Sequence, residues 1–443
     1  MRARRPGALR MPAAGAALGL WMLAGAPAGA SEDAAGAFRQ ALQYTVRVHT
    51  QITEPFDDDD PGAYEGAGFL VDGERGWIVT NAHVVGQCPS EVQVSFADGP
   101  ARPARKLYVD PFTDVAVLSL DEPIPGRSAA RLADGPPPAA GEPIVVFGHP
   151  LGMPFTGSRG IVCGYTDQEG AALLQIDASI DNGNSGGPVI SLQDGRIVGI
   201  ATSGAGGDRA DSFNFATPMP DVCRILALLR QGTEPCPPVL AFGLLMDRDG
   251  RHTMRVAHTL DAERWPFLPG DRILRVAGGE DLRGLTELVS ALRAGRGGIP
   301  LIVERGGREV TLTARPALHP AVTKQRGLRI DGALLAPLAI DDWALFGTTP
   351  RLVVKSVAPG SQAEALAFEA GDVLWSVDGG AVFDLDSLAA RVAARPAGAP
   401  LALVLLRAAG RPWRLVDWHA RELPGEEVRM VGAAPGPAAL QLK

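Results

Sequence analysis

From residue 44 to residue 217, apolar residues fall in short runs of four to seven positions, divided by Gly, Pro, Asp and Asn. Val92, Val94 and Phe96 alternate with Glu91, Gln93 and Ser95, as a strand buried on one face requires. YTVRVHT (44–50), GWIVT (76–80), VAVLSL (115–120), PIVVF (143–147) and RIVGIAT (196–202) are further strand-like runs. Many short strands at this spacing predict a barrel or sandwich. The Pro- and Gly-rich stretch ADGPPPAAGEP (133–143) lies mid-way and suits a connection between two barrels. The period then changes. Val222, Ile225, Leu226 and Leu229 share one face of a predicted helix, with Thr217 as its cap, Pro218 in its first turn and Gln231-Gly232 at its end. EPCPP (234–238) follows as a linker.

Beyond the linker the chain repeats. PGDRILRVAGGEDLRGLTELVSALRAG (269–295) resembles AGDVLWSVDGGAVFDLDSLAARVAARP (370–396). Gly270-Asp271 aligns with Gly371-Asp372, and Gly278-Gly279 with Gly379-Gly380. Each copy continues with a helical stretch and two strands, the first pair joined by the hairpin signal Gly306-Gly307. A repeat of roughly 100 residues marks two copies of one domain, since solenoid periods are about 20–50.

Composition adds compartment and excludes some partners. The 443 residues are 46% hydrophobic and 21% charged, with a net charge of -8, which is the make-up of a globular chain of about three domains. Acidic and basic residues are interspersed, so no basic stripe predicts a nucleic-acid surface. Arg2, Arg4, Arg5 and Arg10 precede an apolar run from about residue 11 to 25 and the small residues Ala28-Gly29-Ala30. That order predicts a secretory signal over 1–30, cleaved after Ala30, with a retained N-terminal anchor as the alternative. In an exported chain Cys88, Cys163, Cys223 and Cys236 are either disulfide partners, Cys223 with Cys236 closing a short loop, or buried free thiols.

Three segments bear candidate chemistry: WIVTNAHVV (77–85) with His83, FTDVAVLSL (112–120) with Asp114, and DNGNSGGPVI (181–190) with Ser185. A serine hydroxyl becomes a nucleophile only beside a base. An imidazole takes its proton, and a carboxylate behind the ring sets the tautomer. Glycines around Ser185 let the backbone turn so that N–H groups converge on an oxyanion. Singly, His83 reads more often as a structural or surface residue, Asp114 as a turn or cap and Ser185 as part of a loop, and Asp110 lies close enough to be mistaken for Asp114. The three strand contexts together point to His83 as base, Asp114 as its orienter and Ser185 as nucleophile.

TNAHVV (80–85), TDVAVL (113–118) and GNSGGP (183–188) resemble the HtrA/Deg family of trypsin-like serine proteases. GAGFLVD (66–72), GHPLG (148–152), SRGIVCG (158–164), IDASIDNGNSGG (176–187) and FNFATP (213–218) extend the resemblance over residues 44–230. It implies a mainly β fold: a trypsin-like double barrel over 31–232, then two α+β PDZ-like domains over 239–316 and 325–420. It also implies an oxyanion hole at Gly183, Asn184 and Ser185, and an apolar S1 pocket at Ile180 and Phe213. Phe242, Gly243, Leu244 and Leu245 resemble the PDZ loop that holds a C-terminal carboxylate, and 327–330 is a second, weaker match. The implied activity is that of an exported, periplasmic endopeptidase acting on unfolded polypeptides in envelope quality control, with C-terminal peptides at the PDZ domains and assembly as a homotrimer or multiples of it. Rival readings are a regulatory protease switched by one peptide, and a chaperone or scaffold. The chemistry calls for no cofactor. The acidic run 57–60 lacks the ligand spacing of a calcium loop, and His149 and Cys88 lack zinc-spaced partners. The Trp residues at 343, 375, 413 and 418 read as core or interface.

Overall fold

The computed structural model describes residues 29–56, 59–149, 153, 155–167, 171–202, 214–248, 252–293, 295, 297–338, 351–396, 398–409 and 415–432. The signal-like segment before residue 29 lies outside them, as do Asp57, Asp58, Phe213, Trp343 and Trp413. Among the described residues no helix is long and apolar enough to cross a membrane.

The first described element is a helix, α1 (Gly29–Tyr44), that the strand pattern did not announce. It buries Ala37, Ala41 and Tyr44, and Phe38 meets Phe147 edge-on at 5.5 Å. Six strands then close a barrel in the order β1-β2-β3-β6-β5-β4. They are β1 (Thr45–Ile52), β2 (Gly62–Asp72), β3 (Trp77–Thr80), β4 (Glu91–Phe96), β5 (Arg102–Asp110) and β6 (Val115–Leu120). A single helical turn, α2 (Ala82–Val85), follows β3. Residues 121–142 cross to a second closed barrel, ordered β10-β11-β12-β9-β8-β7. Its strands are β7 (Pro143–Gly148), β8 (Thr156–Thr166), β9 (Leu173–Ile176), β10 (Pro188–Ser191), β11 (Ile197–Thr202) and β12 (Asn214–Pro218). One apolar core joins the barrels, with Phe69, Ile78 and Leu118 from the first and Phe147, Ile190 and Ile200 from the second.

Helix α3 (Met219–Arg230) buries Val222, Ile225 and Leu226, the face its periodicity predicts. Its cap differs from expectation: Pro218 holds the N-cap position, while Thr217 stays in β12 and donates its hydroxyl to the Thr113 carbonyl at 3.1 Å. That donor is buried, so its bond goes to the partner the barrels supply.

Beyond α3 lie two open sheets. The first orders β13 (Phe242–Met246), β14 (His252–Thr259), β15 (Arg272–Val276), β16 (Ile299–Arg305) and β17 (Arg308–Ala314), with α4 (Leu285–Leu292) between β15 and β16. Gly306 and Gly307 take φ of 58° and 75° where Arg305 pairs with Arg308, the two positive values that a tight two-residue hairpin demands. The second sheet runs β24-β23-β21-β20-β19-β18-β25, with β22 (Gly380–Ala381) beside β21. Its members are β18 (Arg326–Ile330), β19 (Ala333–Pro337), β20 (Leu352–Val357), β21 (Val373–Val377), β23 (Leu401–Ala409), β24 (Leu415–Leu423) and β25 (Val428–Gly432), with α5 (Gln362–Ala365) and α6 (Leu385–Ala393).

One ion pair recurs in both sheets. Arg305 grips Asp271 through Nε at 2.8 Å and Nη2 at 2.7 Å; Arg407 grips Asp372 at 2.6 Å and 2.7 Å. Gly270 and Gly371, just before each aspartate, both have φ of 93°. The two sheets follow one plan. They differ at the edge. In the first, the aromatic stretch 265–267 fills the core, Phe242 lying 4.9 Å from Trp265 and 5.0 Å from Phe267. In the second, β25 covers the outer edge of β18 in antiparallel register, from Arg326 opposite Gly432 to Ile330 opposite Val428.

The four cysteines are free thiols, so the Cys223–Cys236 loop closure is not formed. Trp375 and Trp418 meet edge-on at 5.2 Å on the outer face of the second sheet rather than in its core, with Arg351 lying 3.9 Å over the Trp375 ring.

Candidate active site

His83 sits on α2, the turn into which buried β3 runs, and Asn81 before it is wholly buried. The Asn81 side chain donates to the Asp114 carbonyl at 2.8 Å, which ties the histidine turn to the start of β6. Asp114 takes φ of 53°, uncommon for a residue other than glycine but tolerated by aspartate. Its carboxylate is a convergence point. His83 Nδ1 lies 2.8 Å from Oδ2 and 3.0 Å from Oδ1, the His83 backbone N–H donates to Oδ1 at 3.0 Å, and the Thr202 hydroxyl donates to Oδ2 at 3.0 Å. With Asp114 ionised, Nδ1 carries the proton and the imidazole presents Nε2 as its basic nitrogen.

The Ser185 turn packs onto β2. Ala67 N–H donates to the Ser185 carbonyl at 2.8 Å, and Gly186 N–H to the Ala201 carbonyl at 2.8 Å, one residue before Thr202. Two glycines are needed for this approach. At Gly186, with φ of 86°, a Cβ would stand 2.1 Å from the Ala67 oxygen. At Gly66, a Cβ would meet Val84 at 2.7 Å and the Ser185 oxygen at 2.9 Å, so its absence lets α2 and the serine turn share one strip of β2. The structure thus brings His83, Asp114 and the Ser185 turn to the seam between the barrels, with β11 reaching across through Thr202.

Gly183 has φ of 102°, and its carbonyl accepts from His149 N–H at 3.1 Å. Asn184 N–H is engaged with the Asp181 carbonyl at 2.9 Å, and the Asn184 side chain is buried. His149 is buried against Phe155, its Nδ1 accepting from Phe155 N–H at 3.3 Å. Burial, reinforced by the nearby Arg47 cation, pushes its pKa down to about 4.

The other predicted residues are placed as follows. Ile180 is half-buried against the second barrel's core, and Phe213, its expected pocket partner, lies outside the described residues. Phe242, Gly243, Leu244 and Leu245 form strand β13, with Phe242 buried. Asp110 is not interchangeable with Asp114: it is wholly buried and bonded to its own turn. Thr202 and Asn81 went unassigned in the sequence. Asn81 lies inside the TNAHVV motif, whereas nothing along the chain marks the end of β11 as a neighbour of Asp114.

Residues 66–200 match the trypsin-like peptidase domain. The HhoA serine protease of Synechocystis is 30% identical over 291 residues, 58% of this chain and 71% of that protein. The chain belongs to the HtrA/Deg family. The periplasmic serine endoprotease DegP of Escherichia coli K12 is 32% identical over 143 residues, 31% of this chain and 30% of DegP. The chain thus spans well under half the length of several curated relatives it matches. The solved structure of the HtrA-type protease AlgW with a tripeptide superposes with a TM-score of 0.52 at 25% identity, over 65% of this chain and 97% of AlgW.

Proposed function

We propose that this HtrA/Deg chain is an exported serine endopeptidase that cleaves unfolded polypeptides, with Ser185 as nucleophile, His83 as general base and Asp114 as the carboxylate that orients it. The observation that carries the reading is the His83 Nδ1–Asp114 Oδ2 bond of 2.8 Å, held beside the Ser185 turn at the seam of two barrels. Ser185 Oγ attacks the scissile carbonyl while its proton passes to His83 Nε2. The N–H groups of Gly183 and Ser185, on either side of Asn184, take the oxyanion. The imidazolium, stabilised by Asp114, returns the proton to the departing amine, and the acyl-enzyme forms. Water repeats the sequence from the other side and releases the acid.

The two later sheets serve as PDZ-like modules in this reading. Such modules add an extended peptide to a free sheet edge. In the first sheet, β13 pairs with β14 alone among the described strands, so we assign peptide capture there, at Phe242 to Leu245. In the second, the strand that pairs with β20 as β13 pairs with β14 is β19, and its other edge is already taken by β18. The family further implies trimers or their multiples, and the DegP relative's periplasmic location is the one proposed here.

The test is digestion of unfolded casein by the chain beside Ser185→Ala. Fragmentation that vanishes in Ser185→Ala supports the reading. Equal fragmentation by both proteins, or none by either while the wild type is folded, sinks it.

A further inference from the structure

Tyr108, Asp110, Asp221 and Arg293 form a cluster that the triad does not include. Arg293 stands at the C-cap of α4, in the module that packs around Trp265, Leu288 and Leu292. Its side chain is fully buried, yet the guanidinium is spent on other parts of the protein. Nη2 lies 2.5 Å from Asp110 Oδ2 and 3.0 Å from Asp221 Oδ2. Nη1 lies 3.1 Å from Tyr108 Oη and donates to the Pro235 carbonyl at 3.1 Å. Tyr108 itself donates to Pro235 O at 2.8 Å.

Asp110 is the link to the chemistry. It too has no exposed side-chain surface. Its Oδ1 accepts from Phe112 N–H at 3.0 Å and Thr113 N–H at 3.4 Å, and Oδ2 accepts from the Thr113 hydroxyl at 2.8 Å. Those bonds wind residues 110–113 into the turn that delivers Asp114 at its positive φ. A carboxylate with no access to water stays ionised only beside a counter-charge. Among the described residues the ion pair to Asp110 comes from Arg293. If it were withdrawn, Asp110 would be left a buried carboxylate without its counter-charge, and the turn that bonds to it would lose that support.

We propose that Arg293 is a positioning residue for the active site: by neutralising Asp110 it holds the turn that sets Asp114 against His83, making triad geometry depend on docking of the first C-terminal module. The cluster shows a direction of influence. Asp221, in the first turn of α3, anchors the same guanidinium but touches no residue of the 110–113 turn in the bonds described, so the two carboxylates have separable roles. The inference rests on Asp114 being the triad carboxylate.

The experiment uses the full chain with an internally quenched apolar peptide, reading kcat and KM separately, and a fluorophosphonate probe that reads Ser185 reactivity without substrate binding. Arg293→Met is expected to lower kcat roughly 30-fold, with KM within about twofold, because small displacements of a catalytic group cost about this much. The fluorophosphonate rate should fall in parallel. Arg293→Lys should recover most of the loss, and Asp221→Asn should stay within about threefold of wild type, since it removes one anchor of the guanidinium and leaves the Asp110 pair in place. If Arg293→Met is unfolded at the assay temperature, the charge-removing Arg293→Gln against Asp221→Asn makes the same comparison: a lower kcat in Arg293→Gln supports the proposal, and equal kcat in the two overturns it. Wild-type kcat in folded Arg293→Met, or an equal loss in Asp221→Asn, overturns it. Turnover that survives Ser185→Ala, or is missing from the wild type, instead removes the triad reading and this inference with it.

Discussion

The Thr202 hydroxyl donates to Asp114 Oδ2 at 3.0 Å, the same oxygen that His83 Nδ1 meets at 2.8 Å. The second barrel therefore helps hold a carboxylate that belongs to the first. Thr202→Val removes that donor while keeping the side-chain shape. We expect kcat/KM to fall about tenfold, the usual worth of one hydrogen bond to a charged group, with little change in thermal midpoint. Thr202→Ser should restore most of it. Peptide kinetics on the three proteins check this, and an unchanged Thr202→Val would remove Thr202 from the site.

Gly186 is the tightest point of the serine turn. A methyl there would meet the Ala67 oxygen at 2.1 Å and the Thr80 hydroxyl at 2.2 Å, at a φ of 86°. Gly186→Ala should cost at least about 3 kcal/mol in stability and abolish turnover. Denaturant unfolding monitored beside casein digestion measures both. Gly126, also at positive φ but with open space around its Cβ position, is the control: its alanine variant should stay active.

His149 makes stability depend on pH. Its folded pKa, about 4, lies below the ordinary value of 6.5, so between those values the unfolded chain binds the extra proton. Stability from this residue is complete above about pH 6.5 and is lost as pH falls towards 4, by about 3 kcal/mol at most. Protonation would also place a hydrogen on Nδ1, which now accepts from Phe155 N–H. Thermal midpoints at pH 7 and pH 4.5 should converge more closely in His149→Asn, whose Oδ1 can accept the same bond without titrating. An identical pH response in both proteins would rule His149 out.

The thiols divide by burial. Cys88 is pushed up to about 12, and Cys223 and Cys236 to about 11, each mainly by burial, so their thiolates are scarce at pH 8. Cys163 on β8 is half-buried, as Cys223 is on α3, but burial pushes its thiol up less far. Iodoacetamide at pH 8 should label Cys163 first in the native protein, and all four after unfolding. Mass mapping of the labelled peptides decides it, with early labelling of Cys236 as the contrary result.

Peptide capture separates the two sheets. A fluorescent peptide with an apolar C-terminus should bind the full chain, and Leu244→Lys on β13 should weaken it at least tenfold. Met430→Lys on β25, the outer strand of the second sheet, should leave affinity unchanged. Fluorescence anisotropy reads both. Equal sensitivity at the two positions would return the second sheet to the peptide site. β25 is well held: Asp331 accepts the N–H groups of Glu426 and Glu427 at 2.9 Å each, and Glu54, from the loop after β1, pairs with both Arg329 and Arg429.

How much was legible along the chain follows from the range of each interaction. Alternation in β4, the amphipathic face of α3 and the Gly306-Gly307 hairpin are local, set by side-chain periodicity and positive φ, and each stands in the structure where the residues place it. The motifs around His83, Asp114 and Ser185 are equally local, because each packs its own turn chemistry into a few residues. The repeat of Gly270-Asp271 in Gly371-Asp372 announced two copies of one unit for the same reason. Nothing local distinguishes the donor from a distant strand. Thr202 reaches Asp114 across 88 positions, Arg293 reaches Tyr108 across 185, and Arg329 reaches Glu54 across 275. Those bonds form because a polar group closed off from water must be paired by whatever the fold brings beside it, and only the closed barrels and docked sheets decide what that is.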